Sequence, residues 1–148
     1  MFKTNNKVFE ERREIFLDKL DGKAAIIPGA KLVKHHADCE YPFRQDSNFW
    51  YLTGFDEPDA IALFLSHKPK GERFILFVAP KDVISEVWQG FRWGLEGAEK
   101  EFKADKAHSI NEIRDLLPGY LNGADELVFS IGKHPSIEKI VLEIFSQQ

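Results

Sequence analysis

A chain of 148 residues is the size of one ordinary domain, and its 43% hydrophobic and 13% aromatic content supplies a core, which excludes global disorder. A formal charge of −4 without a basic run excludes the electrostatic footprint of a nucleic-acid binder. A lone cysteine, Cys39, excludes an intramolecular disulfide, and no apolar signal region or membrane-length run of roughly 20 residues occurs, so the expectation is a soluble, cytoplasmic protein.

Along the chain, Asn6 is placed to cap a first helix running to about Leu20, with Phe9, Phe16 and Leu20 at helical spacing and Asp21-Gly22 ending it. Ala24 to Ile27 reads as a short buried strand stopped by Pro28-Gly29. Leu32-Val33 reads as the start of another strand before a loop from His35 to Phe43. Asp46 and Ser47 read as N-caps of a short helix through about Leu52, closed by Gly54. Ala60 to Leu65 and Arg73 to Val78 are the clearest strands. The turn between them carries Pro69 and Gly71, which predicts an antiparallel hairpin.

Asp82 to Trp88 reads as a helical turn and Gly90 to Gly94 as a glycine-flanked aromatic loop. Leu95 to Lys103 reads as a helix, and Ile110 to Leu117 as another ended by Pro118-Gly119. Glu126 to Ile131 is a strand. Pro135 opens a last helix whose apolar stripe is Ile137, Ile140, Val141, Ile144 and Phe145. Strands and helices alternate around one hairpin, which predicts a single α/β domain with a mixed sheet flanked by helices.

Several clusters invite a chemical reading. His35, His36, Asp38, Cys39 and Glu40 offer metal-ligating groups within six residues, but structural zinc sites commonly pair two short motifs far apart, and His67, His108 and His134 bring no second motif. A polar loop is the reading. Cys39 carries no flanking signature of a nucleophile, and there is no Gly-x-Ser-x-Gly elbow, phosphate loop or dinucleotide fingerprint. The paired carboxylates Glu10-Glu11 and Asp125-Glu126 fall on solvated faces.

The block Arg44-Gln45-Asp46-Ser47-Asn48 either braces structure, with Arg44 paired to a carboxylate and Asp46 and Ser47 capping a helix, or lines a ligand pocket. Capping explains it without further assumption. Phe49, Trp50, Tyr51, Leu52 and Phe55 read as core. The segment from Trp88 to Gly94 sets three large aromatics and an arginine between glycines. Such a loop either contacts another domain, subunit or ligand, or folds back onto the core, and the residues leave both open.

The continuous segment from Tyr41 to Pro58 joins that polar block to a dense aromatic run, a pattern that neither a repetitive helix nor an alternating strand produces. It closely resembles the signature of the N-terminal domain of Xaa-Pro aminopeptidases (aminopeptidase P), of the creatinase/prolidase pita-bread group. Phe9-x-x-Arg12-Arg13, the Ala24 to Ile27 strand, Ala37-Asp38-x-Glu40-Tyr41-Pro42 and Glu86-Val87-Trp88-x-Gly90 resemble the same family. The resemblance spans essentially the whole chain, densely over residues 37–65 and more thinly after about 100.

The resemblance implies a ribonuclease-H-like α/β domain, non-catalytic by itself, over residues 1–148. It implies a parent hydrolase, a manganese-dependent metallo-aminopeptidase that removes the N-terminal residue from Xaa-Pro peptides. The metal set of that family, two Asp, one His and two Glu holding two Mn2+, belongs to a C-terminal metallopeptidase domain that 148 residues leave no room for. No catalytic or metal residue is therefore expected in this chain, and alone it is expected to be inactive. Its partners would be its own catalytic domain, further copies in a dimer or tetramer, and the peptide substrate.

By the resemblance, Asp38 reaches toward the active-site mouth, and Trp88 is projected toward an active site, that of a neighbouring subunit included. Two alternatives accompany this reading: a non-catalytic peptide- or protein-binding module, and the N-terminal domain of a prolidase acting on Xaa-Pro dipeptides.

Overall fold

The computed structural model describes residues 6–31, 43–82, 86, 91–129 and 135–146, the side chains of 136 and 145 aside. Helix α1 (Asn6–Leu20) begins at the residue read as its cap, so Asn6 lies in the first turn. Asp21 and Gly22 end it with φ of 45° and 89°. Strand β1 (Ala24–Pro28) follows. Helix α2 (Ser47–Thr53) forms as its caps predict. The Asp46 carboxylate accepts the Phe49 N–H at 3.0 Å, and Gly54 closes the helix at φ 69° by donating to the Trp50 carbonyl at 2.9 Å. Gly54 is doubly required, since a Cβ there would also lie 2.7 Å from the Phe9 ring.

Strands β2 (Ile61–Leu65) and β3 (Phe74–Val78) form the expected antiparallel hairpin. Helix α3 (Gly94–Glu101), strand β4 (Lys106–Ser109), a 3-10 turn (Ile110–Glu112), helix α4 (Ile113–Leu121), strand β5 (Leu127–Phe129) and helix α5 (Pro135–Ser146) complete the described chain.

The five strands make one mixed sheet in the order β4-β3-β2-β1-β5. Strand β2 runs antiparallel to both β1 and β3, while β5 is parallel to β1 and β4 is parallel to β3. Every strand except β2 therefore points the same way. Both faces are covered, which is why β2 and β3 read as unbroken apolar runs. Ala62, Phe64, Phe74 and Leu76 pack with Leu20, Phe49, Leu52, Phe55, Ala98 and Phe102, so α1, α2 and α3 cover one face. Ile61, Leu63, Leu65, Ile75 and Phe77 pack with Ile113, Leu117, Ile137, Ile140 and Val141, so α4 and α5 cover the other.

The structure corrects four expectations. The helix read over Ile110 to Leu117 starts three residues later, after the 3-10 turn, and runs through Pro118 to Leu121. Pro118 costs the bond to the Arg114 carbonyl, but burial of Ile113 and Leu117 on the sheet holds the helix in place, and Asn122 donates to the Pro118 carbonyl at 3.1 Å. Helix α3 ends at Glu101 rather than Lys103, whose φ of 60° is not helical. Strand β4 was not expected: Lys-Ala-His-Ser has no strand signature, and pairing with Ile75 to Val78 imposes its conformation.

The fourth correction concerns the aromatic run. Phe49, Leu52 and Phe55 are core, but Trp50 and Tyr51 are 43% and 54% exposed, because a helix buries only one of its sides. The strand read at Leu32-Val33, most of the turn at Asp82 to Trp88, and residues 130–131 of the last strand lie outside the described residues.

Candidate functional site

The shared direction of β1, β3, β4 and β5 brings their carboxyl ends to one end of the sheet. Ligands of open α/β sheets bind outside that end, where connections leaving neighbouring strands diverge. Two connections matter here. One leaves β1 at Pro28 and carries Asp38. The other leaves β3 at Val78 and carries Trp88. Asp38 and Trp88 themselves lie outside the described residues, as do His35, His36, Cys39, Glu40 and His134. What the structure gives is how the flanks of both connections are held.

Gln45 is the hub of the first connection. Its Oε1 accepts the N–H of Ala30 at 2.8 Å and of Asp46 at 3.0 Å, so it joins the two flanks of the 32–42 segment. Its Nε2 donates to the carbonyls of Phe55 and Glu57, each at 3.0 Å. Gly29 fits beneath it, donating to the Ala60 carbonyl at 2.8 Å. A Cβ at Gly29 would approach Gln45 Oε1 to 3.1 Å. The polar block thus braces structure through Gln45 and Asp46. Arg44 makes no carboxylate pair among the described residues; it lines an open surface cleft with Arg12, Trp50 and Tyr51.

Glu57 carries the network to the second connection. It is 7% exposed, and its Oε2 accepts the Trp93 N–H at 2.7 Å. The neighbouring Arg92 N–H goes to Glu86 Oε1 at 3.0 Å, and Lys81 Nζ lies 3.7 Å from the same oxygen. Burial raises the Glu57 carboxyl above the ordinary carboxylate range. The Trp93 N–H and Arg92 work against that rise, and Asp56 and Glu86 add to it. Glu57 Oε1 is buried without a hydrogen-bond partner among the described residues.

The described part of the aromatic loop divides between core and surface. Trp93 folds inward, edge-on to Phe102 at 5.2 Å, and Phe102 meets Phe55 at 5.0 Å. Phe91 stays 53% exposed, edge-on to Trp93 at 5.0 Å and beneath Lys81 Nζ at 5.0 Å. Sequence reasoning missed Glu57, which stood unmarked inside Phe55-Asp56-Glu57-Pro58. Its signal was a charge directly before a proline at the end of an aromatic run, which does not by itself distinguish a buried carboxyl from a solvated one. Among the described residues, no group of three or more His, Cys, Asp or Glu side chains could hold a metal ion.

Comparison with known proteins gives a consistent result. The family described as "Aminopeptidase P, N-terminal domain" matches residues 9–129. The Xaa-Pro aminopeptidase of Haemophilus influenzae is 40% identical over 128 residues, covering 86% of this chain and 30% of that protein. That of Escherichia coli is 34% identical over 142 residues, covering 95% and 32%. Among solved structures, the Pseudomonas aeruginosa aminopeptidase PepP superposes with a TM-score of 0.90 at 30% identity, over 99% of this chain and 33% of that one. Zinc-substituted E. coli aminopeptidase P in complex with product superposes with a TM-score of 0.90 at 32% identity, with the same coverage. The chain spans about a third of the length of these relatives.

Proposed function

Since this chain belongs to the aminopeptidase P N-terminal domain family, we propose that it serves a hydrolase that removes the N-terminal residue from Xaa-Pro peptides, as the non-catalytic domain that walls the substrate entrance. The observation that carries the reading is the tying together, through Gln45 and Glu57, of the two connections that bear Asp38 and Trp88. That coupling fixes the described flanks of two segments distant in sequence to each other. Rigidity is what a substrate-positioning surface needs, since a misplacement of about 1 Å can cost on the order of 100-fold in rate.

In this reading Asp38 pairs with a basic group or with the peptide's free amine. Trp88 lays its flat apolar face against the proline ring, a burial worth on the order of 1–2 kcal/mol. Two manganese ions would supply a metal-activated hydroxide, held by a separate metallopeptidase domain. The described residues of this chain offer no ligand set for them. Oligomer contacts and a cytoplasmic location belong to the same proposal.

The test isolates the native polypeptide from its source cells with an antibody against this chain. Release of residue one from an Xaa-Pro tripeptide is then measured with Mn2+ and after chelation, beside the 148-residue chain alone. We expect metal-dependent release by the native polypeptide and none by the isolated chain. A native polypeptide inert toward the tripeptide, or one turning over only the Xaa-Pro dipeptide, overturns the proposal.

A further inference from the structure

We propose that Asn122-Gly123, the turn leaving α4 for β5, is a site of spontaneous covalent modification. Asn122 deamidates through a cyclic imide, which leaves a carboxylate and a lengthened backbone at the end of α4.

The turn presents both groups that the reaction needs. Asn122 is exposed, and its side-chain amide carbon is the electrophile. The Gly123 backbone nitrogen is the nucleophile. The amides on either side of it are engaged: Asn122 N–H donates to the Pro118 carbonyl at 3.1 Å, and Ala124 N–H to the Leu121 carbonyl at 3.2 Å. The Gly123 N–H between them has no acceptor among the described residues. Gly123 sits at φ 91°, a backbone that favours glycine, so no side chain crowds its nitrogen. This is the sole Asn-Gly pair in the sequence.

The Gly123 nitrogen gives its proton to solvent and bonds to Asn122 Cγ. The bond from Cγ to the side-chain nitrogen breaks, and ammonia leaves with a proton taken from water. Water then opens the five-membered imide. Breaking the new bond from nitrogen to Cγ gives an ordinary aspartate. Breaking the original backbone bond gives isoaspartate, whose chain runs on through Cβ and Cγ. One water is consumed, one ammonia is released, and nothing is oxidised or reduced.

The fold slows this step without preventing it. Asn122 lies at φ −61° and ψ 129°. At that ψ the Gly123 nitrogen and the Asn122 Cβ stand apart about the Cα–C bond, whereas the imide ring needs them eclipsed. Ring closure therefore waits for the end of α4 to fray. That end is weak, because Pro118 removes a helical hydrogen bond and Gly119 is a poor helix former.

The product disturbs its surroundings. A carboxylate at a helix C-terminus opposes the dipole, and it joins Asp125 and Glu126 in the same short connection. The extra methylene of isoaspartate breaks the register of the Ala124–Leu121 bond. Tyr120, two residues earlier, holds His67 Nε2 through its carbonyl at 3.1 Å, so the change loosens α4 from the turn after β2.

The test incubates the native polypeptide at pH 8, folded and in urea, and follows the peptide carrying residue 122 by mass spectrometry. We expect a gain of about 1 Da in that peptide, with isoaspartate the larger product. We expect conversion about 10-fold slower in the folded protein than in urea, the ratio set by fraying of a helix end. Asn122→Gln, whose ring would have six members, should stay unmodified. Asp21-Gly22 can form the same kind of imide, but with no release of ammonia and no change in mass, so it does not imitate the signal. A folded polypeptide still unmodified when the urea sample has converted fully overturns the proposal. Conversion to aspartate without isoaspartate overturns the imide route. Amide hydrogen exchange over residues 113–124 should be faster in the aged protein than in Asn122→Gln aged alongside it, and equal exchange overturns the loosening of α4.

Discussion

Arg13 reaches from α1 to the last turn of α2, where its Nη1 donates to the Leu52 carbonyl at 2.9 Å. Only 5% of Arg13 is exposed, and its guanidinium lies 4.3 Å from the centre of the Phe74 ring. Arg12 repeats the contact one residue away, donating to the Tyr51 carbonyl at 3.2 Å and stacking on the Tyr51 ring at 4.2 Å. The two arginines thus meet carbonyls that α2 leaves unpaired at its C-terminus, where the helix dipole also favours positive charge. Burial lowers the Arg13 pKa to about 10, with Glu10 and Asp105 working against the shift.

Replacing Arg13 therefore removes both a cation held by geometry and the partner of a buried carbonyl. Arg13→Ala is expected to lower stability by about 3 kcal/mol in chemical denaturation, and Arg13→Met, which keeps the stem packed on Phe74, by about 2 kcal/mol. Arg12→Ala, at an exposed contact, should cost about 1 kcal/mol or less. Equal losses for Arg12 and Arg13 would sink this account of the pair.

The sequence made the scaffold legible wherever local chemistry decides structure. Asp46 and Gly54 bounded α2, the Pro69 and Gly71 turn marked the hairpin, and apolar runs marked β2 and β3. It misjudged elements that tertiary contact decides. Strand β4 exists because β3 offers an edge to Lys106–Ser109, and α4 passes Pro118 because Leu117 has a core to enter. The site was legible as a signature but not as a mechanism. Asp38 and Trp88 were singled out by resemblance, whereas Glu57 and the bridging role of Gln45 depend on burial and on partners 12 to 36 positions away.

Gln45 makes four hydrogen bonds that no other side chain of similar size could reproduce, because it accepts twice at one end and donates twice at the other. Gln45→Ala leaves two N–H groups and two carbonyls to find other partners in a partly buried space, and should cost about 2–3 kcal/mol. Gln45→Glu keeps the acceptor but turns a carboxylate oxygen toward the carbonyls of Phe55 and Glu57, so its loss should be at least as large at neutral pH. It should shrink as that carboxylate is protonated. Urea titrations at pH 7.5 and pH 4.5 separate the two variants. A Glu variant as stable as the parent at pH 7.5 would show that the bridge does not hold the two connections together.

On the opposite face, His108 is poised against acid. Its ring lies 5.4 Å from that of Phe77, and its Nε2 meets the Tyr120 hydroxyl. Burial lowers its pKa below the ordinary imidazole value. Glu112 and Glu99 pull it up, and Lys106 pushes it further down. With the folded-state pKa below the unfolded one, the unfolded chain takes up the proton first as pH falls. The stabilising contribution is thus complete above about pH 6.5 and is lost as pH drops through the folded-state value. Denaturation free energies measured at pH 7.5 and pH 5.0 should fall less for His108→Asn than for the parent chain. Identical pH dependence in the two proteins would mean that His108 ionises as freely in the folded domain as in the unfolded chain.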